Sequence, residues 1–154
     1  MRESVRVCIH KYIGGIGFIM QITRVRVLLA EDFLPFRHFV GSKLSQRPQL
    51  EIICEVCDGQ QAVQKAADLK PDLILLDIGL PTLNGIEVAR QIRKLAPESK
   101  IIFLSVESSP EVVREALRLG ACGYVVKTKA ESDLLAAVDA VLEGRQFVSV
   151  GLRG

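Results

Sequence analysis

From Arg24 onward, short apolar runs alternate with longer amphipathic stretches along the chain. Such alternation is typical of βα units, in which each strand is followed by a helix. Four of the five apolar runs are almost continuous in Val, Ile, Leu and Phe, as expected for strands that helices cover on both faces. The predicted strands span residues 25–30, 50–56, 73–76, 101–104 and 123–126. The second run alternates in part, which indicates an edge strand.

Amphipathic stretches between these runs predict helices over residues 34–46, 59–69, 85–95, 110–119 and 131–143. Asn84, with Glu87 three residues later, is typical of a capped helix start. Gly120 and Gly144 follow two of the predicted helices and suit the left-handed conformation that ends a helix. Five βα units joined by right-handed crossovers predict a doubly wound α/β domain with a five-stranded parallel sheet.

We expect three segments: an N-terminal extension of unknown order over residues 1–23, one domain over 24–146 and a C-terminal tail over 147–154. The apolar run 13–22 is too short to span a bilayer, and no signal-peptide cleavage site follows it, so no membrane association is expected. The domain is expected to begin near Met20, with residues 1–19 dispensable for the fold. The alternative for this extension is that residues 5–9 form a strand.

Charge is distributed unevenly along the 154 residues. The net charge of +2 lies in residues 1–23, which leaves 17 basic and 17 acidic side chains in the rest of the chain. A neutral domain without a basic stripe lacks the electrostatic features of a nucleic-acid-binding protein. We therefore expect this chain by itself to bind no DNA or RNA.

The chain has four cysteines, of which Cys54 and Cys57 form a C-x-x-C spacing. This spacing occurs in redox and zinc sites. Both residues lie in or beside a predicted strand, where positions i and i+3 face opposite sides of the sheet. No second Cys or His pair completes a metal site. Buried, reduced thiols in a cytoplasmic protein are the expectation.

Reactive side chains follow the predicted strands at their carboxyl ends: Glu31, Asp32, Asp77, Ser105 and Lys127. The parallel strands of such a sheet end at one edge, so these residues are expected to meet in one crevice. Three carboxylates repel one another unless a cation lies among them, and hard oxygen ligands favour Mg²⁺. Taken singly, the acidic pair could cap a helix, and the serine and lysine could be solvent-exposed. Together they predict Mg²⁺-assisted phosphoryl chemistry with Asp77 as the acceptor.

A known family shares this pattern. The set Glu31-Asp32, Asp77-Ile78-Gly79-Leu80-Pro81, Asn84-Gly85, Ser105 and Lys127 resembles the receiver domain of two-component response regulators. The resemblance covers residues 24–146, and the stretches 71–77, 120–124 and 134–138 are most similar to the LuxR/NarL-type subgroup. It implies a flavodoxin-like fold with strand order 2-1-3-4-5 and helices on both faces. It also implies a cytoplasmic phosphoprotein that receives its phosphoryl group from a sensor histidine kinase.

The resemblance also implies a role for each matching residue. Mg²⁺, the one cofactor expected, would be held by Glu31, Asp32, Asp77 and the backbone carbonyl of Gly79. Asp77 would be the nucleophile, and Lys127 would stabilise the equatorial phosphoryl oxygens together with Mg²⁺. Ser105 would hydrogen-bond the bound phosphoryl group, and Tyr124 would change rotamer in response. Alternatively, Tyr124 is simply a buried aromatic residue with its hydroxyl at the rim.

Three positions depart from the usual family pattern, one of which is Thr128, where many receivers have a proline after the lysine. Val106 is bulkier than the small residue common after the serine, which narrows access to the phosphoryl group. Gly79 carries no side chain to shield that group from water. Because the effects of Val106 and Gly79 oppose each other, the phosphoryl lifetime stays open.

Several functions fit the sequence. The chain is expected to be a phosphoacceptor rather than an enzyme, with slow self-dephosphorylation at most, acting on a protein partner or as a homodimer. It could instead be the receiver part of a LuxR-type transcriptional regulator whose output domain lies outside this chain. A Mg²⁺-dependent phosphohydrolase would need a second acid beside Asp77, and a flavin or nucleotide site would need an anion-binding loop after the first strand.

Overall fold

Strands and helices alternate along the chain because apolar runs and amphipathic stretches alternate in its sequence. The computed structural model describes residues 7–11, 18–149 and 151. Its strands are β1 (Val7–Lys11), β2 (Phe18–Ile22), β3 (Val25–Ala30), β4 (Leu50–Val56), β5 (Leu73–Asp77), β6 (Lys100–Ser105), β7 (Gly123–Val126) and β8 (Phe147–Val148). Its helices are α1 (Leu34–Leu44), α2 (Gly59–Leu69), α3 (Gly85–Leu95), α4 (Pro110–Arg118) and α5 (Ala130–Leu142). All ten predicted elements are present, with end points that differ by two residues or fewer.

The main sheet is parallel and has the order β4-β3-β5-β6-β7-β8. Its first five members have the predicted 2-1-3-4-5 order, so the doubly wound, flavodoxin-like fold is confirmed. The sheet nevertheless has one strand more than predicted. The Phe147 N–H donates to the Cys122 carbonyl, and the Ser149 N–H donates to the Tyr124 carbonyl. The segment after α5 therefore pairs with the edge of β7, which would otherwise expose unpaired backbone groups.

Helices cover both faces of this sheet. Successive strand residues point to opposite faces, so Leu75 belongs to the core beneath α1 and α5, while Leu76 belongs to the core beneath α2, α3 and α4. Leu73–Asp77 is buried at every position. The central strands are thus held from both sides, and their carboxyl ends are fixed in position.

Helix ends follow the predicted signals. The Asn84 side chain accepts a hydrogen bond from the Glu87 N–H at 3.1 Å and so caps α3. Gly120 and Gly144 have φ angles of +90° and +84°, the left-handed conformation expected for them. Helix α1 is preceded by Phe33, which makes no side-chain capping hydrogen bond. The alternative that the acidic pair Glu31-Asp32 supplies the N-cap of α1 is therefore wrong.

The N-terminal strands form a sheet of their own. β1 pairs with β2 in antiparallel register, from Val7 opposite Ile22 to Lys11 opposite Phe18. The alternative strand over residues 5–9 is present in part, shifted toward the C-terminus, and residues 5 and 6 lie outside the described residues. The dispensability of residues 1–19 stays a prediction. In the described part of the chain, no helix has the length and apolar character needed to cross a membrane.

Cysteine burial is lower than predicted. Cys57 is exposed and Cys54 and Cys122 are half-buried, and all three are free thiols. The expectation of buried thiols is wrong for Cys57 because it follows the last residue of β4, an edge strand. The side chain of Cys8 lies outside the described residues.

Candidate functional site

The carboxyl edge of the main sheet collects the predicted reactive residues. Glu31 and Asp32 follow β3, Asp77 ends β5, Ser105 ends β6 and Lys127 follows β7. These four strands are adjacent and parallel, so their ends lie side by side. Carboxylate oxygens of the three acidic residues lie within 4.8 Å of one another. The three-carboxylate pocket predicted from the sequence is therefore formed.

Lys127 lies between two of these carboxylates. Its ammonium nitrogen is 2.8 Å from Glu31 Oε2 and 3.4 Å from Asp77 Oδ2, and its side chain is only 14% exposed. Glu31 Oε1 also accepts a hydrogen bond from the Phe33 N–H at 3.1 Å. The fully buried Glu31 thus has one oxygen hydrogen-bonded to the backbone, while its other oxygen is ion-paired with Lys127 but has no well-aligned hydrogen bond. Asp32 is exposed.

Burial makes the negative charge of the pocket costly. Burial is the largest cause of the raised pKa of Glu31, and its bond to Lys127 opposes that shift. The pKa of Asp77 is also raised, again chiefly by burial, while the Gly79 N–H and Lys127 oppose the shift. One ammonium group is paired with two of the three carboxylates, so the pocket carries an excess of negative charge that a cation would offset.

The loop after Asp77 is held close to the carboxylate. The Gly79 N–H donates to Asp77 Oδ1 at 2.9 Å. A Cβ atom on Gly85 would lie 2.4 Å from the Asp77 carbonyl oxygen, so only glycine allows α3 to begin against the end of β5. This contact explains in physical terms why glycine follows Asn84.

Ser105 and Tyr124 both bind the backbone of Glu107, in the loop between β6 and α4. Ser105 Oγ accepts a hydrogen bond from the Glu107 N–H at 2.9 Å, and the Tyr124 hydroxyl donates to the Glu107 carbonyl at 2.8 Å. Both side chains are buried, and burial raises the pKa of Tyr124. The predicted serine and tyrosine are therefore connected through one residue. Their switching roles stay predictions.

Val106, the residue directly after Ser105, is 74% exposed. Its effect on access to Asp77 stays a prediction. One neighbour of the pocket was missed from the sequence: the Lys127 ammonium lies 4.8 Å from the ring centroid of Phe36. An aromatic residue in an amphipathic helix predicts only core packing, so no signal in the sequence separates Phe36 from an ordinary core residue.

Residues 27–139 match the family model described as the response regulator receiver domain. The chain belongs to this family. It is 34% identical over 126 residues to the nitrate/nitrite response regulator protein NarL of Escherichia coli, covering 82% of the chain and 58% of NarL. It is 30% identical over 125 residues to the transcriptional regulatory protein DegU of Brevibacillus brevis, covering 81% of the chain and 53% of DegU. The receiver therefore spans little more than half the length of these relatives.

Solved structures agree with this membership. A LuxR-family response regulator from Aurantimonas superposes with a TM-score of 0.80 at 27% identity, over 84% of this chain and 93% of that one. The receiver domain of the NarL regulator from Mycobacterium tuberculosis superposes with a TM-score of 0.75 at 29% identity, over 80% and 99%. The resemblance to receivers of the LuxR/NarL type is confirmed.

Proposed function

We propose that this receiver is a phosphorylation switch in which Asp77 accepts the phosphoryl group. The supporting observation is the position of Asp77: it ends a central strand, with Lys127 at 3.4 Å and the carboxylates of Glu31 and Asp32 beside it. One carboxylate oxygen of Asp77 attacks phosphorus and forms the new P–O bond. The bond to the donor breaks, and the donor leaves as histidine or, for acetyl phosphate, as acetate.

The pocket suits Mg²⁺. Its carboxylate oxygens are hard ligands within 4.8 Å of one another, and the described residues hold no second group of three or more such ligands. Glu31, Asp32, Asp77 and the backbone carbonyl of Gly79 would hold the ion. When bound, Mg²⁺ offsets the negative charge of the pocket and of the incoming phosphoryl group. Asp32, which is exposed, is the carboxylate most open to it.

Lys127 has the position needed to change partners. Its ammonium binds Glu31 at 2.8 Å and reaches Asp77 at 3.4 Å, so a phosphoryl oxygen on Asp77 competes with Glu31 for it. This exchange places a positive charge on the equatorial oxygens without moving the strand.

The signal passes through Glu107. Ser105 uses its oxygen to accept the Glu107 N–H, which leaves the hydroxyl hydrogen to donate to the phosphoryl group. Drawing Ser105 toward the phosphoryl group pulls on the Glu107 backbone, to which the Tyr124 hydroxyl is bonded. Tyr124 then changes rotamer and reshapes the face formed by α4, β7 and α5.

The phosphoryl donor follows from the family: a sensor histidine kinase acting in the cytoplasm. On this proposal the chain itself is a phosphoacceptor with slow self-dephosphorylation at most, because the two acids beside Asp77, Glu31 and Asp32, are assigned to the Mg²⁺ site rather than to protonating a leaving group. The response is a change in self-association or in binding of a protein partner. The names and lengths of NarL and DegU favour a second candidate, in which this receiver controls a DNA-binding output region outside the present chain.

The test is phosphorylation by a small donor. Incubation with Mg²⁺ and acetyl phosphate or phosphoramidate should add a single phosphoryl group, measured by intact mass. Asp77→Asn should abolish the addition, whereas Asp72→Asn, a carboxylate at the opposite edge of the sheet, should retain it. An undiminished signal in Asp77→Asn would refute the proposal.

A further inference from the structure

We propose that Phe36 is a positioning residue for Lys127. The face of its ring lies 4.8 Å from the Lys127 ammonium, inside the range of about 6 Å over which a ring attracts a cation. The two other partners of the ammonium are the carboxylates of Glu31 and Asp77. Among the described residues, Phe36 is therefore the one uncharged partner recorded for the Lys127 ammonium.

The uncharged contact matters because the charged ones change. A lysine has a flexible four-carbon chain, and electrostatic attraction alone holds its ammonium wherever negative charge is greatest. On the proposed function, on which this inference rests, phosphorylation transfers the ammonium from Glu31 toward a phosphoryl oxygen. The attraction to the Phe36 ring persists on both sides of this exchange. The ring therefore restrains Lys127 near the pocket while its ammonium exchanges Glu31 for the phosphoryl oxygen.

The limited exposure of the lysine strengthens this contact. The Lys127 side chain is 14% exposed, and a cation near a ring is attracted more strongly when water is excluded. Phe36 is packed against the core beneath α1 and α5, so the ring is held on the protein side of the lysine.

A second aromatic residue of α1 contacts Phe36. The Phe39 ring, three residues later on α1, stacks on it with centroids 5.6 Å apart and planes at 29°. Lys43 lies 5.9 Å from the Phe39 ring and pairs with Glu131 of α5 at 2.6 Å. Phe36 and Phe39 are thus two similar rings on one helix, each beside a lysine. Only the Phe36 ring is beside the lysine of the pocket, which makes Phe39 a matched control.

The contact can be measured without phosphorylation. The ring should shift the NMR resonances of the Lys127 ε-methylene group upfield. Phe36→Leu should move them toward the values of a free lysine, while Phe36→Tyr and Phe39→Leu should leave them in place. Unmoved resonances in both Phe36→Leu and Phe36→Met would overturn the inference, whether or not the chain accepts phosphate. Using two aliphatic replacements guards against one of them failing to fold.

The consequence for the reaction is measured with acetyl phosphate and Mg²⁺. Phe36→Leu should lower the phosphorylation rate constant by about five-fold, because a less restrained Lys127 is less often in place to meet the phosphoryl oxygens. Phe36→Tyr should restore it, and Phe39→Leu should stay within about two-fold of the parent chain. Equal slowing in Phe36→Leu and Phe39→Leu, or no rescue by tyrosine, would assign Phe36 to packing alone. Absence of phosphorylation in the parent chain would instead refute the proposed function.

Discussion

The two edges of the main sheet both carry charged side chains, but they pair them differently. At the amino edge, the Arg26 guanidinium donates to the Leu69 carbonyl at 2.7 Å, and Asp72 accepts the Arg26 N–H at 2.8 Å. The Lys100 ammonium donates to the Val141 carbonyl at 3.0 Å. Each of these three charged groups binds a backbone group, and the bonds join neighbouring elements.

At the carboxyl edge, charges face one another instead. Oxygens of three carboxylates lie within 4.8 Å of one another, and the ammonium of Lys127 pairs with two of them, Glu31 and Asp77. Burial of this unmatched charge raises the pKa of both Glu31 and Asp77. Similar residue types thus stabilise the fold at one edge and leave an unsatisfied site at the other. The capacity for chemistry comes from the charge that has no partner within the chain.

Removing the lysine at each edge should separate the two edges most strongly. Lys127→Ala should slow phosphorylation by acetyl phosphate at least about ten-fold, because the transferring group loses a preorganised positive charge. Lys100→Ala should lower the free energy of unfolding by about 1 kcal/mol through its lost bond to the backbone, with little change in the rate. Rate measurements and urea unfolding on both variants test this. Equal rates in the two variants would remove the distinction.

Removing one carboxylate at each edge sharpens the comparison next. Asp32→Ala should weaken Mg²⁺ binding by about ten-fold and slow phosphorylation, because a charged oxygen ligand is lost. Asp72→Asn should leave the Mg²⁺ titration unchanged. The titration can be followed by NMR shifts of the amide of Gly79. A normal Mg²⁺ affinity in Asp32→Ala would show that the exposed carboxylate is not a ligand.

A third comparison is between a serine hydroxyl at each edge. Ser105→Ala should still be phosphorylated, to within about ten-fold of the parent rate, because the hydroxyl is not the nucleophile. Phosphorylation of this variant should no longer shift the ring resonances of Tyr124. Ser99, whose buried hydroxyl donates to the Pro71 carbonyl at the amino edge, offers the control variant Ser99→Ala. Persistence of the full Tyr124 shift in Ser105→Ala would remove Ser105 from the switch.

The smallest expected effect is a pH dependence of stability. The pKa of Asp77 is raised in the folded protein, so at pH values just above the ordinary pKa of 3.8 its carboxyl group stays protonated. The unfolded chain has already lost this proton at the same pH. Metal-free protein should therefore lose stability as the pH rises from the ordinary pKa through the raised one. Asp77→Asn lacks this loss and should be more stable than the parent at pH 7 by roughly 1 kcal/mol, with a smaller difference near pH 4.

Urea unfolding in the presence of a chelator, at pH 7 and near pH 4, measures the stability difference between Asp77→Asn and the parent. Added Mg²⁺ should reduce this difference at pH 7. A stabilisation that is the same at both pH values would show that the charge on Asp77 costs nothing in the folded state.

The sequence predicted the fold and the pocket residues well because both follow from simple periodicities. Continuous apolar runs mark strands covered on two faces, and the first polar residue after each run marks the strand end. This reasoning placed Glu31, Asp32, Asp77, Ser105 and Lys127 at one edge. The two residues of β8 are too few to show any period, so that strand was missed.

Contacts between side chains were beyond such reasoning. The Lys127 ammonium lies closer to Glu31 Oε2, at 2.8 Å, than to Asp77 Oδ2, at 3.4 Å. Side-chain packing, rather than residue type, determines this difference. The shared use of Glu107 by Ser105 and Tyr124 depends on the path of one loop.

The central claim is that Asp77 alone carries the phosphoryl group. Its most direct test is reduction with borohydride after treatment with acetyl phosphate and Mg²⁺, since borohydride converts an aspartyl phosphate into homoserine. Peptide mass spectrometry should then find homoserine at position 77 and unchanged residues at Glu31, Asp32 and Ser105. An unreduced Asp77, together with homoserine at position 32 or a phosphate ester on Ser105, would contradict the account.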